Sequence, residues 1–92
     1  LVKKFVGKFL SDQSFQLLEG AMGKKDYEEA FRAAHTLKGV TQNLSFTKLY
    51  QSSHEITEAL RMKEYGRAQE LFPKVEADYI QTAAAIQTFK ST

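Results

Sequence analysis

The sequence predicts an all-α protein, an antiparallel up-down four-helix bundle with a short N-terminal helix. Three observations carry this. Apolar residues recur at the 3, 4, 7 spacing of a helical stripe in successive segments. No alternating β pattern of convincing length interrupts them. The links between stripes are short, which favours antiparallel neighbours. Ninety-two residues, 42% hydrophobic and 26% charged, make a single domain, 1–92, with a modest core.

The elements follow in order. Val2, Phe5, Val6, Phe9 and Leu10 form a short stripe read as a lead-in helix laid over one end of the bundle. Ser11 or Asp12 caps the next helix, which presents Phe15, Leu18 and Met22. Gly20 and Gly23 weaken its end, and Gly23 to Lys25 reads as the connection. Asp26, Glu28 and Glu29 open the central helix with negative charge, where the helix dipole favours it. Its buried stripe is Tyr27, Ala30, Phe31, Ala34, Leu37, Thr41 and Leu44. A tight turn over Asn43 to Ser45 precedes a helix marked by Phe46, Leu49, Tyr50, Ser53, Ile56 and Leu60. The last helix runs from about Gly66, with Ala68, Leu71, Phe72, Val75, Tyr79, Ala83, Ile86 and Phe89 inward. Pro73 predicts a kink or break near Leu71, or a helix start close to Phe72 that would seat proline in the first turn. Asp26-Tyr27-Glu28 and Glu64-Tyr65-Gly66 open successive long helices alike, an echo too weak to be a repeat.

The central helix holds the candidate chemistry. His35 lies roughly 120° from the centre of the buried stripe, in the direction shared by Glu28, Arg32, Gly39 and Gln42. A lone histidine on a helix flank is ordinarily a solvated side chain, but these neighbours are unusual. Lys38, three residues on, can share a face with the imidazole. Its ammonium disfavours imidazolium and can hold an incoming anion. Gly39 costs a helix interior roughly 1 kcal/mol relative to alanine, and removes the side chain that would stand over the pair. Neutral imidazole is a nucleophile, so these pieces suit transfer of a phosphoryl group to and from a ring nitrogen.

His35-Thr-Leu-Lys-Gly39 followed by Val40-Thr-Gln-Asn-Leu44 resembles the signature of the histidine-containing phosphotransfer (HPt) domains of two-component phosphorelays. The flanking helices fit that family's four-helix bundle, so the resemblance covers most of the chain. It implies His35 as phosphoacceptor, Lys38 as phosphate-stabilising cation and Gly39 as the residue that clears the approach of a partner. It also puts Gln42 where a polar side chain can hydrogen-bond near the imidazole. Arg61, on the helix antiparallel to that of the histidine, falls where the family sometimes carries a second cation. The pattern departs at Ser45, where the family usually has glycine. Serine there reads as the N-cap of the next helix.

What the resemblance implies is a phosphorelay intermediate. It accepts a phosphoryl group on a histidine from a receiver-domain aspartate and passes it to another receiver. The partners are then receiver domains of response regulators or hybrid sensor kinases. Autonomous ATP-dependent kinase activity is not expected, since there is no glycine-rich phosphate loop and no room for a nucleotide domain. A helical adaptor that only docks a partner is the alternative, and a metal-binding bundle a third reading. His54 and Glu58 share a face but are too few for a metal site, and Glu-x-x-His pairs are absent, so neither metal nor cofactor is expected.

Composition trims the rest. A net charge of +2 without a basic block argues against nucleic acid. The sequence has no cysteine, hence no disulfide framework or thiolate site, which allows a reducing, cytoplasmic setting. No apolar run nears the roughly 20 residues of a membrane span, and lysines at 3, 4 and 8 are unlike the core of a signal peptide. Starting without methionine, the chain is expected to be a domain excised from a longer protein or trimmed.

Overall fold

Each apolar stripe within residues 13–43 and 46–91, which the computed structural model describes, forms a helix; side chains are described as far as Ile86. The helices are α1 (Ser14–Lys24), α2 (Tyr27–Asn43), α3 (Thr47–Arg61) and α4 (Tyr65–Ser91), with no strand among the described residues. The expected lead-in helix, the Phe89 side chain, Ser11, Asp12, Leu44 and Ser45 lie outside the described residues.

Connections of two or three residues turn the chain back on itself each time, so consecutive helices pack as antiparallel neighbours. The core joins Phe15, Leu18 and Met22 of α1, Ala30, Ala34 and Leu37 of α2, Leu49, Ile56 and Leu60 of α3, and Ala68, Val75 and Ile86 of α4. Leu18, Leu37, Leu49, Ile56 and Val75 are fully buried, each worth roughly 1.5–3 kcal/mol relative to exposure. Aromatic contacts close the bundle between first and last helices. Phe15 stacks on Tyr79 at 4.1 Å and lies 5.9 Å from Phe72, and the Gln69 amide donates to the Met22 carbonyl at 3.2 Å.

The ends of the helices differ from the expectation. Gly23 lies within α1, not in the connection. The reversal is made by Lys25, held left-handed at φ 60° while the Lys25 and Asp26 amides donate back to Met22 and Ala21. Lys63 repeats the device at φ 61°, with Lys63 and Glu64 donating to Leu60 and Ala59. Each left-handed lysine is followed by an acidic residue and a tyrosine that opens a helix, and Tyr27 stacks on Tyr65 at 4.1 Å. The echo in the sequence is therefore one turn used twice. Asp26 caps α2 by accepting the Glu29 amide at 3.3 Å. The N-cap positions of α1 and α3 are Gln13 and Phe46, neither with a side-chain cap bond.

Pro73 does not break α4, which continues from Tyr65 to Ser91. Leu71, Phe72 and Val75 on either side of it pack against the core and hold the helix together across the missing hydrogen bond. Pro73 and Gln69 are both exposed, so solvent can serve the carbonyl that the ring leaves without a donor.

Candidate functional site

Alanines at 30, 33 and 34, with Leu37 and Thr41, bury one side of α2 and turn the opposite flank outward. His35 is on that flank, exposed, its ring 6.2 Å from that of Phe31 one turn earlier. Lys38 and Gly39 follow one turn later, both half-buried. Gly39 has ordinary helical backbone, and a methyl built on it would meet nothing within 4 Å. Packing therefore does not demand glycine there. Gln42 is exposed and two helical turns from His35, about 10 Å along the axis; it lines an open groove of about 210 Å³ with Thr41, Phe46, Thr47 and Tyr50.

The second half of the site comes from α3. A groove of about 390 Å³ between the helices is lined by Tyr27, Glu28, Phe31, Leu60, Arg61, Lys63 and Tyr65. Arg61 thus lies across from Phe31, one turn short of His35. The two grooves pair Gln42 with Tyr50 and Phe31 with Arg61, and on antiparallel helices each step forward on α2 is a step back on α3. His35 accordingly falls level with Thr57 and Glu58, and Lys38 level with His54. Thr57 is buried and donates to the Ser53 carbonyl at 2.6 Å. Glu58 accepts from Arg61 twice, from Nη2 at Oε1 and from Nε at Oε2, the latter at 3.3 Å.

Charge organises the flank. The Glu58 carboxyl is held below its ordinary value, chiefly by the hydrogen bond from Arg61, with desolvation opposing and the charges of Arg61, His54 and Lys38 adding. Arg61 is raised by the same bond. One turn before His35, Arg32 is ion-paired to Glu29 at 2.8 Å and Glu28 at 3.8 Å, and its guanidinium is raised chiefly by the Glu29 hydrogen bond. His54 is exposed, its ring 6.1 Å from Tyr50. Among the described residues no group of three or more His, Asp or Glu is placed to hold a metal ion.

The structure thus brings His35, Lys38 and Gly39 onto one open face and sets Arg61 beside it. Sequence reading did not pair Glu58 with Arg61, although their i, i+3 spacing carries that signal. The family model of the Hpt domain matches residues 9–89, nearly the whole chain. The chain belongs to the Hpt family. As an Hpt domain it has a histidine phosphotransfer role in phosphorelays, and Hpt domains interact there with receiver domains. No curated relative and no solved structure matches it. Among the described residues, no helix of this Hpt domain is long and apolar enough to cross a membrane.

Proposed function

We propose that His35 is the phosphoacceptor of this Hpt domain and that the chain, a single domain over 1–92 working in the cytoplasm, relays a phosphoryl group between two receivers. The observation that carries the reading is the open face around His35. The one unhindered imidazole on α2 is followed a turn later by a cation and by a glycine that packing does not require.

In the forward step the lone pair of a neutral ring nitrogen attacks the phosphorus of a receiver's aspartyl phosphate. The P–N bond forms as the P–O bond to the carboxyl breaks, and the aspartate leaves with the electron pair. On the second receiver an aspartate oxygen bonds phosphorus and the electron pair returns to the ring. Lys38 balances charge on the phosphoryl in transit, Gly39 lets the receiver's pocket come close, and Arg61 is a second cation at the edge of the site. Gln42, two turns along, reaches the phosphoryl or the receiver rather than the ring.

The test is incubation with phosphorylated receivers and mass mapping of acid-labile, base-stable phosphate. His54→Gln is expected to accept phosphoryl like the wild type, whereas His35→Gln folds and accepts none. Label on His54, or label persisting in His35→Gln, refutes the assignment. A docking adaptor would take no label at all.

A further inference from the structure

Arg61 does not stand free beside the site. Its Nε and Nη2 both face one carboxylate, that of Glu58, so one edge of the guanidinium fork is occupied. The register of α2 and α3 sets Glu58 level with His35, and Arg61 one turn away, at the level of Phe31. Glu58 feels the charge of Lys38, the cation one turn from His35, so its carboxylate opposes a dianionic phosphoryl on His35 unless it has another task.

We propose that Glu58 is a positioning residue for phosphotransfer: it holds Arg61 in a side-on ion pair one turn from His35, and the phosphoryl group, once on His35, draws Arg61 away from it. The proposal rests on His35 being the phosphoacceptor. The pair is easily exchanged, because the side chains of Arg61 and Glu58 are 56% and 38% exposed and water screens them. The four residues from Phe31 to His35 span about 6 Å along the axis, within the reach of an arginine side chain. Three other charged or titratable groups lie around His35. Arg32 is ion-paired to Glu28 and Glu29, and Lys38 and His54 lie on the opposite side of the Glu58 level from Arg61. Arg61 is the cation that Glu58 holds by hydrogen bonds, whereas Lys38 and His54 act on Glu58 through charge alone. Glu58 keeps it from stabilising phosphohistidine so firmly that onward transfer would suffer.

The test uses the full chain, phosphorylated with phosphoramidate, a small donor that needs no receiver. The ring nitrogen bonds phosphorus while the donor's P–N bond breaks and ammonia leaves. Titration of the phosphoryl group by ³¹P NMR then reads the cationic charge around it. Glu58→Gln is expected to lower the phosphoryl's proton affinity about two- to fivefold, the scale of an exposed ion pair. In an Arg61→Ala background the same substitution is expected to act about half as strongly or less. A merely structural Glu58 would move thermal melts and leave this ionisation alone. An equal effect with and without Arg61 means direct repulsion by Glu58 and overturns the proposal, as does no effect in Glu58→Gln. If the wild type forms no phosphohistidine at His35, the reading of the site fails and the proposal with it. If it forms normally and the ionisation is unmoved, the proposal fails alone.

Discussion

Replacing Gly39 by alanine should stabilise the fold and slow phosphotransfer at once. The stability part can be worked from the structure. Gly39 lies inside α2 with ordinary helical backbone, and an added methyl meets nothing within 4 Å, so packing neither gains nor loses contacts. What remains is helix propensity, about 0.8–1 kcal/mol in favour of alanine, which raises Tm by roughly 4–8 °C in a domain of this size. The functional part runs the other way. A side chain one turn past His35 stands where a receiver must close, so transfer should fall from Gly to Ala to Gln or Leu, with the loss in docking. Gly20→Ala is the control: it is also in mid-helix and open, and it should gain stability without touching transfer. Calorimetric melts and transfer rates across the series decide it. A bulky Gly39 variant that transfers at full rate, or an alanine variant that melts lower, refutes the reasoning.

Lys38→Ala should slow transfer on the order of 10²-fold, as loss of one preorganised donor does, and arginine should rescue only partly because its planar fork is not a point charge; rapid quench showing an unchanged rate would count against the role. Lys25→Gly and Lys63→Gly should each stabilise the fold by about 0.5–1 kcal/mol, since a left-handed lysine costs about 1–2 kcal/mol and glycine gives part of that back in unfolded-state entropy; lower melting temperatures would contradict this. The Ser53 hydroxyl is buried without a hydrogen-bond partner, so Ser53→Ala should stabilise by about 1 kcal/mol in denaturant titrations, and a loss of stability would show that the hydroxyl has a use.

The central stripe was legible because its members repeat at helical spacing: Ala30, Ala34, Leu37 and Thr41 are buried, with Tyr27 and Phe31 packed at the edge. Burial of small residues off the stripes was not. Ala33, Ser52, Thr57 and Ala59 are buried beside the stripes that larger residues mark, and serine and threonine are mostly exposed elsewhere. The hydroxyls are accommodated by bonding back to their own helix, as Thr41 does to Leu37 and Lys38. The turns were misread for a related reason. Glycine is the usual left-handed residue, yet lysine holds that conformation twice while Gly20 and Gly23 stay helical. Pro73 shows tertiary packing overriding a local breaker. At the site, the outward direction of His35 and its spacing to Lys38 and Gly39 followed from helical periodicity alone. The i, i+3 spacing of Glu58 and Arg61 was in the sequence, but that Glu58 stands level with His35 required the register of two helices, which single-helix periodicity does not contain.

The relay itself is tested most directly by a chase. The chain is labelled on His35, freed of donor, and mixed with an unphosphorylated receiver, and the phosphoryl group is followed on both proteins. The account predicts that label leaves His35 and appears on the receiver's aspartate far faster than it is lost to water without the receiver. Label that stays on His35, or that leaves only as free phosphate at the same rate with and without the receiver, would contradict it.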